Sequence, residues 1–289
     1  MKKVILGFLA LVLVACGGAE RVSRTLIQNK GSDTLVNVAQ AWAEAYAQIN
    51  PNVAVAVTGG GSGTGIAALI GGSVDIANSS RSMKEEEFEM ANGRGVVPNE
   101  LIVGYDALAI YIHPDNPIDE FTLGQLADIY GENGTAESWS QLGITVPGCS
   151  SDEIVRVSRQ NSSGTYVYFQ EAILGESDLR LGSRDMAGSS EVVDLVEKTA
   201  CAIGYSGLAY ATEEVKVPCL MTEDGGNCIA PSTTSAVDGT YPIARPLFMY
   251  TNGQPAGATK DYIDWILSDA GQCIIVGKGY APVRSLACN

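Results

Sequence analysis

Short apolar runs alternate along this chain with longer segments in which apolar residues recur every three or four positions. A short apolar run is typical of a buried strand, and the longer spacing is typical of one face of a helix. The helical spacing is clearest after residue 33, where Leu35, Val38, Trp42 and Tyr46 fall on one face. The alternation predicts an α/β fold.

Applied to the whole chain, the pattern predicts strands at 25–28, 53–57, 74–77, 106–113, 154–158, 202–205 and 247–250. It predicts helices at 34–50, 64–70, 84–92, 122–130, 163–174 (with a start at 165 as the alternative), 191–199 and 260–267. Thr122 is the predicted N-cap of its helix. Residues 212–240 are rich in turn-forming residues, and the sequence shows no repeat at a fixed period.

Three short runs of glycine and hydroxyl residues each precede a predicted helix: 31–34 (GSDT), 59–65 (GGGSGTG) and 159–165 (RQNSSGT). The first N–H groups of a helix lack internal partners, and the helix dipole favours negative charge there, so a helix start can bind an anion. Three such starts with Arg159 have the chemistry of a cage for a tetrahedral oxyanion. Ser32 or Asp33 could also serve only as an N-cap.

The first residues predict an export segment. Lys2 and Lys3 precede 12 mostly apolar residues, 4–15, which are too few to span a bilayer. The following Cys16 and Gly17 complete a stretch that resembles the lipobox of bacterial lipoproteins. We expect removal of residues 1–15 and lipid attachment at Cys16, which would anchor the protein to a membrane surface. An ordinary signal peptide is the alternative.

Six cysteines remain after the predicted cleavage, and an even number in an exported chain suggests disulfides. Proximity in sequence favours Cys219–Cys228 and Cys273–Cys288, which leaves Cys149–Cys201. Because no C-x-x-C spacing occurs, neither a zinc site nor thioredoxin-like chemistry is expected. We expect no metal and no cofactor.

The chain is strongly acidic, with 18 Lys and Arg against 33 Asp and Glu. Loss of Lys2 and Lys3 leaves 16 basic residues against 33 acidic ones and moves the net charge from −15 to −17. This charge argues against nucleic acid and anionic membrane surfaces as partners. It does not exclude an anion site, because local dipoles and hydrogen bonds decide the binding at a buried site.

The order and spacing of nine motifs resemble those of one family. The motifs are KGSDT (30–34), GGGSGTG (59–65), VDIANSSR (74–81), NPI (116–118), LGQL (123–126), WSQLG (139–143), SRQNSSGT (158–165), AIGY (202–205) and GYAPV (279–283). Together they resemble the phosphate-binding lipoproteins of bacterial ABC transporters (PstS type, short form), which have the type II periplasmic-binding-protein fold.

The resemblance implies two α/β lobes, each a mixed sheet flanked by helices, with the ligand cleft between them. Lobe one would comprise 25–107 plus 243–289, and lobe two 108–242. The chain would cross between the lobes near 104–106 and near 243–246. Proteins of this kind close around their ligand like a hinge.

The resemblance also implies a set of phosphate ligands. They are Ser32, Asp33, Thr34, Ser62, Gly63, Thr64, Ser80, Arg159, Asn161, Ser163, Gly164 and Thr165. Arg159 would be the single cation, since a guanidinium matches two phosphate oxygens. Asn161 stands where better-known members often carry an Asp. A structural salt bridge is the alternative role for Arg159.

Discrimination of phosphate from sulfate needs an acceptor for the proton that phosphate carries. Long-form members have an Asp at the position of Ser80. Asp33 and Asp106 are the possible replacements, Asp33 first because it lies in an anion run, and Asp106 could be structural instead. Arg81 could reach the anion or pair with a local acid, and Asp75 is expected to brace the backbone.

We expect a monomeric, lipid-anchored receptor on the extracytoplasmic face of the membrane, which passes inorganic phosphate to an ABC permease and ATPase. The alternatives are a receptor for sulfate or molybdate, a secreted phosphatase, and a surface sensor or adhesin. Enzymatic function is not expected. His113, the only histidine, stands beside Pro114 as in a surface turn, and no G-x-S-x-G elbow or metal-ligand cluster is visible.

Overall fold

A computed structural model describes residues 24–288 of the chain. The predicted signal segment and the predicted lipidation at Cys16 lie outside the described residues. None of the helices within 24–288 combines the length and the apolar composition that crossing a bilayer requires.

The strands are β1 (Thr25–Gly31), β2 (Val53–Thr58), β3 (Ile76–Ser79), β4 (Pro98–Ile112), β5 (Glu120–Thr122), β6 (Val155–Arg159), β7 (Arg184–Met186), β8 (Ala202–Gly207), β9 (Cys219–Met221) and β10 (Ala244–Asn252). The α-helices are α1 (Asp33–Ile49), α2 (Ser62–Ile70), α3 (Glu85–Gly93), α4 (Leu123–Tyr130), α5 (Gly164–Phe169), α6 (Ser189–Glu197), α7 (Thr233–Val237), α8 (Gly257–Ile266) and α9 (Asp269–Gly277).

Eight strands form one mixed sheet in the order β2-β1-β3-β10-β4-β8-β6-β7. In one half of the sheet, β1 pairs in parallel with β2 and β3, and β10 runs antiparallel to β3 and β4. In the other half, β4 runs antiparallel to β8, and β6 pairs in parallel with β7 and β8. The short strands β5 and β9 form a separate parallel pair.

The long strand β4 joins the two halves of the sheet. Its residues up to Ala107 pair with β10, and its residues from Leu108 onward pair with β8. The return connection is β10, which begins at Ala244 opposite Ala107. The architecture confirms the predicted α/β fold with mixed sheets, and the residues assigned to each lobe stay a prediction.

Helices cover both faces of each half, so residues on both faces of the central strands are buried. In the second half, Leu108 and Ile110 of β4 pack in one core with α4, while Ala109 and Tyr111 pack in another with α6. In the first half, Trp42 belongs to the core that α1 and α8 form, and α2 and α3 cover the opposite face. Successive side chains of a strand point to opposite faces of the sheet, so each half of the sheet contributes to two cores.

Several predicted elements need correction. The strand predicted at 106–113 is only the second half of β4, because its first half carries polar residues that hide the apolar run. The strand predicted at 74–77 lies at β3, two residues later, and β2 is half-buried rather than buried. The helix predicted at 163–174 is α5 followed by one π-helical turn, Gln170–Leu174. The turn-rich residues 212–240 contain β9 and α7.

Helix α9 was not predicted, because glycines within Asp269–Gly277 lower the helix propensity. Gly271 is needed there, since a Cβ at this position would lie 2.3 Å from the carbonyl oxygen of Ile266. The cap at Thr122 is confirmed by its Oγ1, which accepts the N–H of Gln125.

The predicted disulfide pairing is also confirmed. The bonded pairs are Cys149–Cys201, Cys219–Cys228 and Cys273–Cys288.

Candidate oxyanion site

The three predicted anion runs meet where β4 and β10 connect the halves of the sheet. Helix α1 starts after Ser32, whose Oγ donates to Ser80 Oγ at 2.9 Å. Ser62, the first residue of α2, lies 3.4 Å from Ser80 between the same atoms. Across the cleft, Thr34 Oγ1 of α1 and Thr165 Oγ1 of α5 are 3.0 Å apart.

These contacts define a hydroxyl cluster made of Ser32, Thr34, Ser62, Ser80 and Thr165. None of the five residues is more than 1% exposed. Ser32 occupies the N-cap position of α1, but its side chain bonds to Ser80 and makes no cap hydrogen bond. Four of the five hydroxyls lie at helix starts and Ser80 follows β3, so the cluster concentrates buried hydroxyl donors as the anion-cage hypothesis requires.

Close approach of the two halves depends on glycines. A Cβ at Gly164 would lie 2.3 Å from Ser62 Oγ and 2.7 Å from Ser80 Oγ. Gly61 has φ +93°, and a Cβ there would lie 2.4 Å from the carbonyl oxygen of Ser162. No side chain fits at either position while the halves stay in contact.

Residues of the glycine run 59–65 form hydrogen bonds within the run and across the cleft. Gly63 N–H donates to Ser162 O across the cleft at 3.0 Å. Thr64 Oγ1 donates to the carbonyl oxygens of Gly60 and Gly61, each at 2.8 Å. On the opposite side, Ser163 caps α5 by accepting the N–H of Thr165 at 3.1 Å. The side chains of Thr64 and Ser163 thus shape the loops that surround the cluster.

Arg159 is fully buried at the end of β6. It donates to the carbonyl oxygens of Met186 and Ala187 and to Ser189 Oγ, at 2.9–3.3 Å. Its Nη2 also lies 3.6 Å from Asp33 Oδ2, so the guanidinium faces the start of α1. Burial lowers the pKa of Arg159, and the charge of Asp33 opposes that effect.

Asp33 is tied to both halves of the molecule. Its Oδ1 accepts the N–H of Gly60 at 3.1 Å, and its carbonyl oxygen accepts the hydroxyl of Tyr210 at 2.6 Å. Burial raises the pKa of Tyr210 to about 12, against the lowering effect of Arg159. Tyr210 follows β8, so this hydrogen bond is a further contact across the cleft.

Arg245 of β10 belongs to the site although the sequence analysis did not identify it. It is 1% exposed, and its Nη2 donates to Thr34 Oγ1 at 3.3 Å and to Thr165 Oγ1 at 3.0 Å. Its Nε and Nη2 donate to Asp106 Oδ2 at 3.1 and 2.8 Å. Burial raises the pKa of Asp106, and Arg245 acts in the opposite direction. The sequence feature that could have identified Arg245 is its position as the one charged residue inside the apolar run 243–250.

Other candidates lie outside the cluster. Asn161 is exposed, and its side chain makes no hydrogen bond to the part of the chain that the structure describes. Arg81 forms two 2.7 Å hydrogen bonds with Glu87, so it pairs with a local acid. Asp75 accepts the N–H of Gln28 and braces the backbone, as predicted. His113 accepts the N–H of Asp115 in the turn after β4.

Residues 18–270 match the family described as PBP superfamily domain. The chain is 35% identical over 269 residues to the phosphate-binding protein PstS of Pseudomonas aeruginosa, covering 89% of this chain and 83% of that protein.

Two solved structures share the fold. The first, a putative phosphate ABC transporter substrate-binding protein with bound phosphate from Clostridium perfringens, has a TM-score of 0.78 at 28% identity and covers 90% of this chain and 100% of that one. The second, an ABC-type phosphate transport receptor from Vibrio cholerae, has a TM-score of 0.69 at 27% identity and covers 88% and 99%.

Proposed function

Because this chain belongs to the PBP superfamily and, within it, to the PstS-type phosphate-binding proteins, we propose that it is an extracytoplasmic receptor for inorganic phosphate that serves an ABC import permease. The observation that carries the proposal is the buried hydroxyl cluster, to which both halves of the sheet contribute. A tetrahedral oxyanion presents acceptors in four directions, and donors on opposite sides of a cleft can meet them together.

The proposed ligand set keeps the residues expected from the sequence. Hydroxyl donors come from the cluster, and Arg159 supplies positive charge beside Asp33. Backbone N–H groups of Gly63, Thr64 and Gly164 complete the proposed cage, and the Gly63 N–H would exchange Ser162 O for the ligand. Asn161 has the weakest support in the set, because its side chain is exposed.

The proposed lobes are 25–107 plus 243–289 and 108–242. The change of partner strand after Ala107 and the start of β10 at Ala244 support these boundaries. Ligand entry would require separation of Thr34 from Thr165 and of Gly63 from Ser162, which is a hinge opening about the two connecting strands.

Attachment to the membrane through a lipid on Cys16, the monomeric state and delivery to a permease and ATPase complete the proposal. The lipobox-like sequence at 13–17 supports the first of these. No catalytic step is included, since the relatives are named for binding and not for turnover. Phosphate is preferred over sulfate and molybdate because the relatives are named for phosphate.

Calorimetric titration of the purified, phosphate-stripped protein at pH 7 tests the function. We expect tight one-to-one binding of phosphate and no heat with sulfate or molybdate. Sulfate binding of equal strength, or no binding of either anion, would contradict the proposal. Steady release of alcohol from a generic phosphomonoester would instead show an enzyme.

A further inference from the structure

We propose that Arg245 is a positioning residue for the bound oxyanion: held in place by Asp106, it fixes the hydroxyl groups of Thr34 and Thr165 as hydrogen-bond donors to the ligand. The inference rests on the proposed function and adds to it a residue outside the three anion runs. Arg245 is thereby distinguished from Arg159, which faces Asp33 and is bonded to the turn before α6.

The position of the pair in the sheet is the first argument. Arg245 and Asp106 are directly opposite each other in the antiparallel ladder between β10 and β4. These two strands are also the connections between the halves of the sheet, so the pair lies where the chain crosses from one proposed lobe to the other. The ion pair is therefore set by strand register, and it can persist when the cleft opens.

The hydrogen-bond geometry is the second argument. Nη2 of a guanidinium carries two N–H bonds. The shortest contact of Arg245 Nη2, at 2.8 Å, is with Asp106 Oδ2. The oxygens of Thr165 at 3.0 Å and Thr34 at 3.3 Å then share the remaining N–H as a three-centre hydrogen bond. One nitrogen atom thus reaches hydroxyls from both sides of the cleft.

The consequence for the hydroxyls follows from their bonding capacity. A hydroxyl has one hydrogen and accepts through its oxygen lone pairs. Because Arg245 occupies the acceptor side of Thr34 and Thr165, their hydrogens are directed away from it. In this closed structure one of the two hydrogens lies in the 3.0 Å contact between Thr34 and Thr165. A phosphate oxygen without a proton can only accept, so both hydroxyls can donate to it once the ligand separates the pair.

Two further contacts fix the orientation of the Arg245 guanidinium plane. Nη1 of Arg245 donates to the carbonyl oxygen of Ser80 at 3.3 Å, and the Tyr168 ring centroid lies 5.5 Å from Cζ. Because Asp106 neutralises the charge of Arg245, the main contribution of Arg245 is to orient the hydroxyl groups of Thr34 and Thr165. Such a role requires the planar fork of arginine, which an ammonium group does not reproduce.

The matched comparison is between two buried arginines. Arg81 also has two hydrogen bonds to a carboxylate, that of Glu87, but it contacts no hydroxyl of the cluster. We expect Arg245→Lys to weaken phosphate binding by about 10- to 100-fold, and Arg81→Lys to change it by less than about threefold. Calorimetry with inorganic phosphate measures both, and thermal unfolding shows whether each variant folds.

Coupling to Thr34 separates positioning from a structural role. If Arg245 acts through the hydroxyl, Thr34→Val will weaken phosphate binding in the native protein but have little further effect in Arg245→Lys. Additive losses, or an Arg245→Lys variant that binds like the native protein, would overturn the inference.

A further variant covers the possibility that Arg245→Lys does not fold. The double variant Arg245→Met, Asp106→Leu replaces the pair with apolar residues, which buried ion pairs often tolerate. Undiminished phosphate binding in it would overturn the inference, and a loss of at least about tenfold would support it. Absence of binding in the native protein would defeat the proposed function and this inference with it, whereas native binding with unaffected variants defeats the inference alone.

Discussion

Thr34 and Thr165 bring their hydroxyl oxygens to 3.0 Å from each other, although 131 positions separate them in the sequence and they lie on opposite sides of the cleft. Each is the second residue of a helix that starts at a glycine- and serine-rich run. The contact shows that the closed cleft joins helix starts directly. Small residues around it must therefore control how far the cleft can close.

Gly164→Ala should prevent full closure. The added Cβ would lie 2.3 Å from Ser62 Oγ and 2.7 Å from Ser80 Oγ, and both hydroxyls are buried in the cluster. We expect phosphate affinity to fall at least about tenfold, because overpacking of this kind has a substantial free-energy cost. Calorimetry measures the affinity, and the thermal midpoint without ligand should change little.

Gly93→Ala is the matched control for this prediction. Gly93 ends α3, and a Cβ there meets no atom within 4 Å. Phosphate affinity should stay at the native value. If Gly164→Ala also binds like the native protein, the contact between α5 and the serines does not persist in the bound state.

Local pattern predicts much of this fold. The recurrence of apolar residues every three or four positions identified α1, α4 and α6. The runs of glycine and hydroxyl residues identified the starts of α1, α2 and α5. Both signals depend only on residues that are close together in the sequence. The disulfide pairing followed from proximity in the same way. Helix α9 was missed where glycine propensity gave way to tertiary packing.

The site shows the limit of that approach. Arg245 stands in an apolar strand far from every anion run, and only the pairing of β10 with β4 brings it to Thr34 and Asp106. In the opposite sense, Asn161 lies in the third run, yet its side chain is exposed. Proximity in sequence to a helix start does not determine which side chains enter the cleft, since the direction of each side chain depends on long-range packing.

Arg159→Ala should abolish phosphate binding and also reduce stability. Besides facing Asp33, the guanidinium donates to Met186, Ala187 and Ser189. The variant removes this donor from Ala187 O and Ser189 Oγ, while Met186 O keeps the N–H of Gln160. We expect the free energy of unfolding to fall by about 3 kcal/mol, with the fold retained at 25 °C. Urea denaturation and calorimetry measure the two effects, and native affinity in a folded variant would reject Arg159 as a ligand.

Removal of the Cys149–Cys201 disulfide should cost more stability than removal of Cys219–Cys228. The first joins cysteines that are 52 positions apart in the sequence and therefore closes a long loop, whereas the second joins cysteines 9 positions apart. Chain entropy gives about 4 kcal/mol for the longer loop and about 2.6 kcal/mol for the shorter one. Paired Cys→Ser variants, compared by urea denaturation, check the order, and equal losses would show that native-state contacts dominate.

Glu87→Gln should remove part of the acid sensitivity of the fold. Burial acts to raise the pKa of Glu87, but hydrogen bonds from Arg81 and the Lys84 N–H outweigh it and lower the pKa below 4.5. A lowered carboxyl pKa stabilises the fold above the unfolded value, and this stability is lost as pH falls through the folded value. Native stability should therefore drop more steeply than that of the variant below pH 4.5.

Glu86→Gln provides the control for the pH measurement, since the Glu86 side chain is 74% exposed and reaches Lys84 only at 3.9 Å. Its unfolding free energy should follow the native curve at every pH. A Glu87→Gln curve that also follows the native one would show that the pair with Arg81 has no net influence on folding.

Asp33→Asn should reduce the preference for phosphate over sulfate. Each of the two carboxylates has one oxygen in hydrogen bonds: Arg245 donates to Asp106 Oδ2, and the Gly60 N–H donates to Asp33 Oδ1. Asp33 is the candidate to accept the proton that phosphate carries and sulfate lacks, because it lies in an anion run at the start of α1 and faces Arg159. An amide at this position presents an N–H that suits sulfate, so the ratio of the two affinities should fall at least about tenfold. Competition calorimetry at pH 7 measures that ratio.

In Asp106→Asn the ratio should stay near the native value while the thermal midpoint falls, because that change weakens a buried ion pair. If instead Asp106→Asn alone loses the preference, the acceptor lies at the hinge and not at the start of α1.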